Sequence, residues 1–326
     1  MEAYIVIKTR DNYYNDYSLK PNYNTNQRFH IIDTVSLAFT PAQNGSGNVT
    51  TITPNNYTVH EQVTAGYAQA KFMLLQQLQV LGGVRIENTQ LDYTTVMPIQ
   101  FSGRSGTIKY TDVLPSVHLK YSLTSKQNFR LSYFKSISRP GFGEIVPYSV
   151  PGEEFTELGN PYLKHVTADN LDARYELFPG GADQVLLGTF YKQLQNPIEY
   201  FVINQGGPSN LNIQAQNTNK ATNFGFEAVI TKYIGMFGVS ANYTYTHSAV
   251  TTTKATKYYD ATSGQVQTGI TNQTRPLQGQ ANHVGNISLL YKNQKVGLDA
   301  QLAFSYTGDR IAQVSIWNNL DIWQKP

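Results

Sequence analysis

The chain has 326 residues, of which 40% are hydrophobic and only 14% are charged, against roughly 25% charged residues in an average globular domain. The net charge of +3 is too small to form the basic stripe that nucleic acid requires, and the absence of cysteine excludes disulfides, thiolate metal sites and cysteine nucleophiles. Tyrosine occurs 23 times, and Asn, Gln, Thr and Ser replace the missing charges. Because Tyr, Thr and Val favour strands while Asn and Gly favour turns, the composition predicts a β-rich protein with long polar loops.

No part of the sequence has the ~18 consecutive apolar residues of a membrane-spanning helix. The first apolar run, residues 3–7, is shorter than the ~7–15 residues in the core of a signal peptide, and charged residues follow it directly. Taken alone, these two features would favour a cytosolic protein. The pattern of strands along the chain favours a different location.

Predicted strands and connections follow one another in a regular order along the chain. An opening strand ends near Arg10, a long polar segment (residues 11–57) follows, and from Val63 the pattern becomes regular. We predict about eleven strands in all and no helix, with one more strand starting near Trp317. After the opening strand, the predicted strands cover residues 63–73, 78–93, 117–123, 129–133, 171–177, 184–195, 224–230, 237–246, 287–291 and 296–306.

The predicted strands have one apolar and one polar face. Val84 and Ile86 alternate with Arg85 and Glu87, and residues 237–246 alternate without a break. The polar face is mostly Gly, Ser, Asn, Thr and Gln, which suits a hydrated interior better than the Lys- and Glu-rich surface of a soluble barrel. Seven tyrosines near predicted strand ends are expected to form aromatic girdles at the membrane interfaces: Tyr93, Tyr133, Tyr175, Tyr243, Tyr245, Tyr291 and Tyr306.

Short and long connections alternate strictly. The short turns fall at residues 74–77, 124–126, 179–182, 233–236 and 292–295, and the predicted long loops at 94–111, 139–165, 196–217 and 251–280. A soluble sandwich has no reason to keep its long loops at one end, whereas barrels of outer membranes have short periplasmic turns and long extracellular loops. A closed barrel also satisfies every backbone polar group within lipid. The pattern therefore predicts an all-β fold, a transmembrane antiparallel up-and-down β-barrel.

Several segments carry a resemblance to a known family. They read VTAGYAQAKF and VLGGVRIENTQLDY (within residues 63–93), LPSVHLKYSLTSKQNFRLSYFKSISRPGF (114–142) and GNPYLKHVTADNLDARYELFP (159–179). The sequence resembles the C-terminal β-barrel portion of TonB-dependent receptors of the Gram-negative outer membrane, over roughly residues 63–310. The resemblance rests on the order and spacing of many elements, and it does not identify a ligand.

The resemblance implies a receptor that imports a scarce nutrient through a barrel of about 22 strands with a plugged lumen. The nutrient classes that such receptors take include siderophores, vitamins, glycans and peptides. The expected partners are the outer-membrane lipid, the TonB complex acting through a plug domain, and a surface lipoprotein. No nucleic acid partner and no cofactor are expected.

The sequence departs from the complete receptor pattern. Residues 1–326 are interpreted as a partial barrel in which no plug domain is found. Half a barrel would leave two unpaired sheet edges in lipid, which is not viable alone. Either the chain is a fragment of a longer receptor or of a broken gene, or another chain completes it.

Candidate ligand contacts come from the Gly/Pro-rich excursion between two strands, residues 139–165. Since extracellular loops supply binding groups in such receptors, we name Arg139, Glu144, Tyr148 and Tyr162 as candidates. The charges on the polar face have mixed signs, and they either bridge neighbouring strands or contact ligand or plug. They are Arg85, Glu87, Lys120, Arg130, Asp172, Arg174, Glu176 and Glu227.

No catalytic or metal site is predicted. The six histidines lack close ligand spacing, and the sequence has no G-x-S-x-G elbow and no phosphate-binding loop. Two other classes of protein stay open beside the receptor. One is a non-transporting outer-membrane barrel, such as an adhesin or a structural protein, and the other is a secreted soluble β-rich enzyme.

Overall fold

The computed structural model describes residues 2–12, 17–19, 39–41, 56–97, 103–152, 154–204 and 211–326. Most of the polar segment 11–57 therefore lies outside the described residues. The strands are β1 (Glu2–Asn12), β2 (Tyr17–Leu19), β3 (Phe39–Pro41), β4 (Tyr57–Leu75), β5 (Leu78–Thr95), β6 (Ser105–Thr124), β7 (Gln127–Ser138), β8 (Ser149–Pro151), β9 (Thr156–Leu158), β10 (Val166–Gly180), β11 (Asp183–Gln195), β12 (Ile198–Asn204), β13 (Leu211–Asn217), β14 (Ala221–Ile234), β15 (Phe237–Asp260), β16 (Gln265–Arg275), β17 (His283–Asn293), β18 (Leu298–Thr307), β19 (Arg310–Ser315) and β20 (Ile322–Gln324).

A single antiparallel sheet forms the body of the molecule. Its order is β1-β4-β5-β6-β7-β10-β11-β14-β15-β17-β18, and β16 adds to β15 as a twelfth strand. Each strand of this path pairs with the one that precedes it along the path, as in an up-and-down barrel wall. The predicted antiparallel sheet of about eleven strands is confirmed.

The two ends of this sheet differ as the sequence predicts. Two-residue turns at 76–77, 125–126, 181–182 and 235–236, with a four-residue turn at 294–297, join strands at one end, which we call the turn end. The connections between β7 and β10 and between β11 and β14, and the hairpin of β15 and β16, lie at the other end, the loop end. Gly181 and Gly235 occupy left-handed backbone conformations in these turns, where a side chain would be strained.

The two faces of the sheet also separate as predicted. In cross-strand register, Leu119, Leu131, Ala173 and Thr189 form one row of the apolar face. Apolar side chains on this face stay open to the surroundings, as Leu187 does with 49% of its surface exposed, which suits contact with lipid. Six of the seven predicted girdle tyrosines lie on this face. Tyr93 does not, because it lies on the polar face and is buried in an apolar cluster, so the girdle prediction is wrong for that residue.

Some predicted loops are strands. Residues 94–111 do not form a loop throughout, because β6 already begins at Ser105, and residues 251–275 of the predicted 251–280 loop form the hairpin of β15 and β16. The hairpin has no alternating apolar face, so the periodicity that marked the other strands is missing. Its many threonines, which are β-branched, favour the strand conformation nevertheless.

A second, smaller sheet lies at the loop end. It has the order β20-β19-β12-β13-β9-β8 and gathers strands from two connections, β7–β10 and β11–β14, and from the segment that follows β18. We call this sheet, together with the helix α1 (Phe142–Ile145), the cap. The predicted loops 139–165 and 196–217 therefore contain strands. The prediction of no helix is also wrong, because α1 forms a single helical turn.

The cap packs on the upper part of the polar face. Ile145, Val146 and Ala215 of the cap and its connections form one buried cluster with Val59 and Tyr93 of the sheet. Within the described residues, no helix has the length and apolar character needed to cross a membrane.

Candidate ligand-binding surface on the polar face and cap

Three cations lie side by side across neighbouring strands of the polar face. Lys120 of β6 is opposite Arg130 of β7, and Arg130 is opposite Arg174 of β10. We call these three residues the basic row. Like charges directly opposite one another destabilise a sheet, so a row of this kind needs neighbouring or incoming negative charge.

Carboxylates neutralise two members of the basic row. Arg130 donates to Glu176 at 2.8 Å, and Arg174 donates to Glu227 at 3.4 Å. Arg174 and Glu227 lie two strands apart, and Gly188 between them has no side chain to block the contact. Lys120 makes no ion pair with any described residue. The row therefore keeps an uncompensated positive charge.

A polar cleft of about 370 Å³ adjoins this row on the same face. Lys192 lies in it over the ring of Phe190, 5.5 Å from the ring centroid, and makes no ion pair among the described residues. The side-chain oxygen of Asn223, another lining residue, is buried without a hydrogen-bond partner. The cleft thus offers a cation, the carboxylate of Asp172 and a free acceptor to a bound group.

Arg139 anchors the start of the segment 139–165 to the main sheet, which forms the wall of the barrel. Its guanidinium donates to Glu87 and, through two nitrogens at 3.1 and 3.2 Å, to the hydroxyl of Thr89. Arg85 donates to the other oxygen of Glu87. These groups line a second polar cleft of about 490 Å³, with His118 among its other lining residues.

His165 ties the end of the excursion to the same wall. Its Nε2 lies 2.9 Å from Asp112 of β6, and its ring stacks on Tyr110 with 3.9 Å between centroids. Both ends of the excursion are therefore fixed, which holds the intervening cap strands over the polar face.

The four predicted ligand residues do not form one cluster in the structure. Besides Arg139, Glu144 accepts the backbone N–H of Gly141 at 2.6 Å at the start of α1. Tyr148 donates to Glu157 of β9. Tyr162 differs from these three because 81% of its surface is exposed.

Burial and neighbouring carboxylates raise the pKa of two cap tyrosines. Burial raises the pKa of Tyr148 well above its usual range, and the bond to Glu157 adds to the effect. Burial likewise raises the pKa of Tyr200, with a further contribution from Glu144. Both phenols therefore stay protonated and act as hydrogen-bond donors within the cap.

A buried charge network joins the cap to the β15–β16 hairpin. Arg275 at the end of β16 forms a two-pronged pair with Glu199 of β12, at 2.8 and 2.9 Å, and both side chains are only 2% exposed. Lys254 pairs with Asp321 at 2.5 Å, and Asp321 approaches Arg275 to 3.9 Å. The sequence reasoning missed all four residues, since nothing in their local pattern distinguishes them from surface charges.

The described residues contain no group of three His, Asp or Glu side chains placed to hold a metal ion. The chemistry that this surface can perform is binding, with cations and hydroxyls on the wall and an exposed aromatic on the cap.

Comparisons with known proteins agree on one family. The sequence matches the family model described as TonB dependent receptor-like, beta-barrel, over residues 4–325. The comparison with curated proteins gave no match.

Solved structures share the fold at low sequence identity. The ferric-catecholate import receptor Fiu from Escherichia coli K12 has a TM-score of 0.60 and 15% identity, covering 95% of this chain and 41% of that one. The hemophore receptor HasR of Serratia marcescens, solved as a double mutant with its hemophore HasA and heme, has a TM-score of 0.54 and 15% identity, covering 77% and 47%. The iron transporter FrpB from Neisseria meningitidis, in its apoprotein form, has a TM-score of 0.52 and 13% identity, covering 84% and 38%. The chain spans less than half the length of each of these structures, and it belongs to the family of TonB-dependent receptor β-barrels.

Proposed function

We propose that this chain forms part of the barrel wall of an outer-membrane receptor that binds a scarce nutrient outside the cell and passes it along its polar face. The observation that carries the proposal is the separation of the two ends. Among the described residues the turn end has only short connections, while the connections between β7 and β10 and between β11 and β14 lie at the loop end and contribute strands to the cap on the polar face. A cap on a hydrated wall can hold a ligand at the entrance.

The ligand that we propose is an anionic metal chelate. The uncompensated charge of the basic row would attract an anion into the polar face. The similar proteins Fiu, HasR and FrpB are named for ferric-catecholate import, a hemophore with heme, and iron transport. A ferric chelate combines the negative charge that the wall favours with the metal that these proteins handle.

Among the predicted contacts, we propose that Tyr162 touches the ligand. Its ring is free, whereas Arg139, Glu144 and Tyr148 already make hydrogen bonds within the protein. Those three residues position the cap in this proposal. A plug domain, the TonB complex and a surface lipoprotein belong to the proposal as partners of the whole receptor, as does its location in the outer membrane.

Uptake of a labelled chelate tests the proposal. The full-length receptor would be expressed in a Gram-negative host without its own ferric-catecholate receptors, and accumulation of ⁵⁵Fe-labelled ferric catecholate measured with and without TonB. We expect TonB-dependent accumulation. Surface binding without accumulation would favour the non-transporting barrel, and recovery of the receptor in the soluble fraction would contradict both.

A charge variant tests the ligand class separately. Lys120→Gln removes the unpaired member of the basic row, so we expect slower uptake at low ligand concentration, and Lys120→Arg should restore it. Lys295→Gln, at the turn end, is the matched control and should leave uptake unchanged. Equal uptake by Lys120→Gln and the parent receptor would refute the anionic ligand while leaving transport itself standing.

A further inference from the structure

The β15–β16 hairpin stands above the wall as an arm. Below it, β15 pairs with β17 as far as Tyr245 and with β14 as far as Val250. From Thr251 to Asp260 the strand partner of β15 among the described residues is β16 alone. The hairpin therefore leaves the wall just above Val250.

Apolar side chains fix the base of this hairpin. Val250 of β15 and Leu277, which follows β16, form a buried cluster with Ala221 of β14. Leu194 of β11 packs against the same cluster. The base is thus held at the point where the two strands leave the wall.

Above the base, polar contacts attach the hairpin to the cap. The cap loop between β19 and β20, residues 316–321, exchanges two backbone hydrogen bonds of 2.8 Å with Ala255. In the same loop, Asn319 exchanges two hydrogen bonds of 3.2 Å with the side chain of Gln273. Among the described residues, no buried apolar cluster joins the hairpin above Val250 to the cap.

Four buried charges complete this attachment. Lys254 and Arg275 lie on the hairpin, while Asp321 and Glu199 lie on the cap, so that each ion pair joins the two parts. All four side chains are at most 3% exposed. Separation of the hairpin from the cap returns these charges to water, and this hydration offsets part of the loss of the ion pairs. An apolar contact has no such compensation when it separates, because its surface meets water unfavourably.

We propose that the hairpin is a gate, with its hinge at the apolar cluster of the base and its latch in the four charges. In the closed form, which the structure shows, Lys254 and Arg275 hold the hairpin against the cap. When the latch separates, the hairpin moves away from the cap as an intact ladder, beside the cleft that Gln280 lines. The role of this movement in ligand entry rests on the proposed function, whereas the movement itself does not.

Spin-label distances test the movement without any ligand. Nitroxide labels would be attached at Thr268→Cys on the hairpin and Tyr162→Cys beside the cap, in the full-length receptor in lipid nanodiscs, and measured by double electron–electron resonance. Asp321→Asn removes the charge that pairs with Lys254, so the population at a longer distance should rise about tenfold or more. A second label pair, Tyr162→Cys with Leu187→Cys of the wall, should keep its distance, because this part of the cap stays in place.

A matched variant separates the latch from a general effect of charge. Asp309→Asn makes the same change in a pair with Lys325 that is exposed on both sides, so it should leave both distances unchanged. An unchanged distance between hairpin and cap in Asp321→Asn, or an equal change in Asp309→Asn, would refute the latch. A change in the distance between cap and wall would show that the cap moves instead, which would overturn the hinge.

Hydrogen exchange of the parent receptor gives an independent test, which stands even if Asp321→Asn does not fold. The amides of Ala255 and Asn318 donate across the latch, so they should exchange about tenfold or more faster than the amide of Thr246 below the base. Amides that bond β15 to β16 should stay protected, because the ladder moves intact. Equal protection of latch and base amides, or exchange of the whole hairpin at one rate, would overturn the proposal. A receptor that shows the movement but accumulates no chelate would refute the proposed function alone.

Discussion

Neutralising Glu199 should open the cap locally. Glu199 accepts two bonds from Arg275 and one from the backbone N–H of Gln278 at 2.6 Å, all within a site that is about 2% exposed. The variant Glu199→Gln keeps an acceptor for Gln278 but leaves the buried guanidinium with only the more distant Asp321, which already pairs with Lys254. Losing one partner of a buried pair costs about 3–5 kcal/mol.

Hydrogen exchange in the small sheet measures this cost. A loss of about 3 kcal/mol raises the population of the open state on the order of a hundredfold, since each 1.4 kcal/mol is a factor of ten. We therefore expect the protected amides of β12 and β13 to exchange about a hundredfold faster in Glu199→Gln. The amides in the lower part of the main sheet should keep their rates, because local opening does not require the wall to unfold.

The double variant distinguishes charge burial from simple loss of contact. Glu199→Gln with Arg275→Met removes both charges, so it should cost less than Glu199→Gln alone, because replacing both members of a buried pair by uncharged residues is often close to neutral. Lys325→Gln is the matched control, because its pair with Asp309 is exposed on both sides and should contribute under about 1 kcal/mol. The reasoning fails if the double variant opens as readily as the single one, or if Lys325→Gln has an equal effect.

Three further perturbations have expected outcomes. Gly225→Ala would place a Cβ 1.9 Å from the carbonyl oxygen of Tyr245, so we expect little folded receptor, as measured by the shift of gel mobility on heating. In Gly285→Ala the nearest atom to the new Cβ is 3.5 Å away, so this control variant should fold normally. Leu187→Arg puts a charge on the lipid-facing side of β11 and should cost about 2–4 kcal/mol in urea unfolding from bilayers if it lies near the midplane. The raised pKa of Tyr148 stabilises the cap fully below about pH 10, and the stability falls as the pH rises from there toward the folded pKa. Tyr148→Phe should therefore reduce this dependence in hydrogen exchange and leave only the part that Tyr200 contributes.

Each of these expectations has an opposing result. Equal folding of the two glycine variants would show that the close approach at Gly225 relaxes freely. A Leu187→Arg receptor as stable as the parent would argue against lipid contact on that face; Thr244→Arg, on the polar face, is its control. A pH dependence in Tyr148→Phe as steep as in the parent would assign the titration to another group.

The wall of the molecule was predictable from its sequence. Successive side chains of a strand point to opposite faces of the sheet. A strand between an apolar and a polar medium therefore has alternating apolar and polar residues in its sequence. Ile287 and Leu289 alternate with the polar residues Asn286 and Ser288 in the sequence, and the structure places both on the apolar face. The strict alternation of short and long connections then predicted that one end of the sheet has the short turns and the other end has the long loops.

The sequence by itself thus determined an antiparallel wall with two distinct faces and two distinct ends. Only the tertiary structure decided how the long connections fold together. Glu199 and Arg275 are 76 residues apart, and β12 and β19 pair in parallel across a still longer separation. Such contacts produce no periodic pattern of residues in the sequence, because the conformation of each segment depends on a partner that is distant along the chain. The same holds for the basic row, since three cations on three strands become neighbours only when the register of the sheet is set.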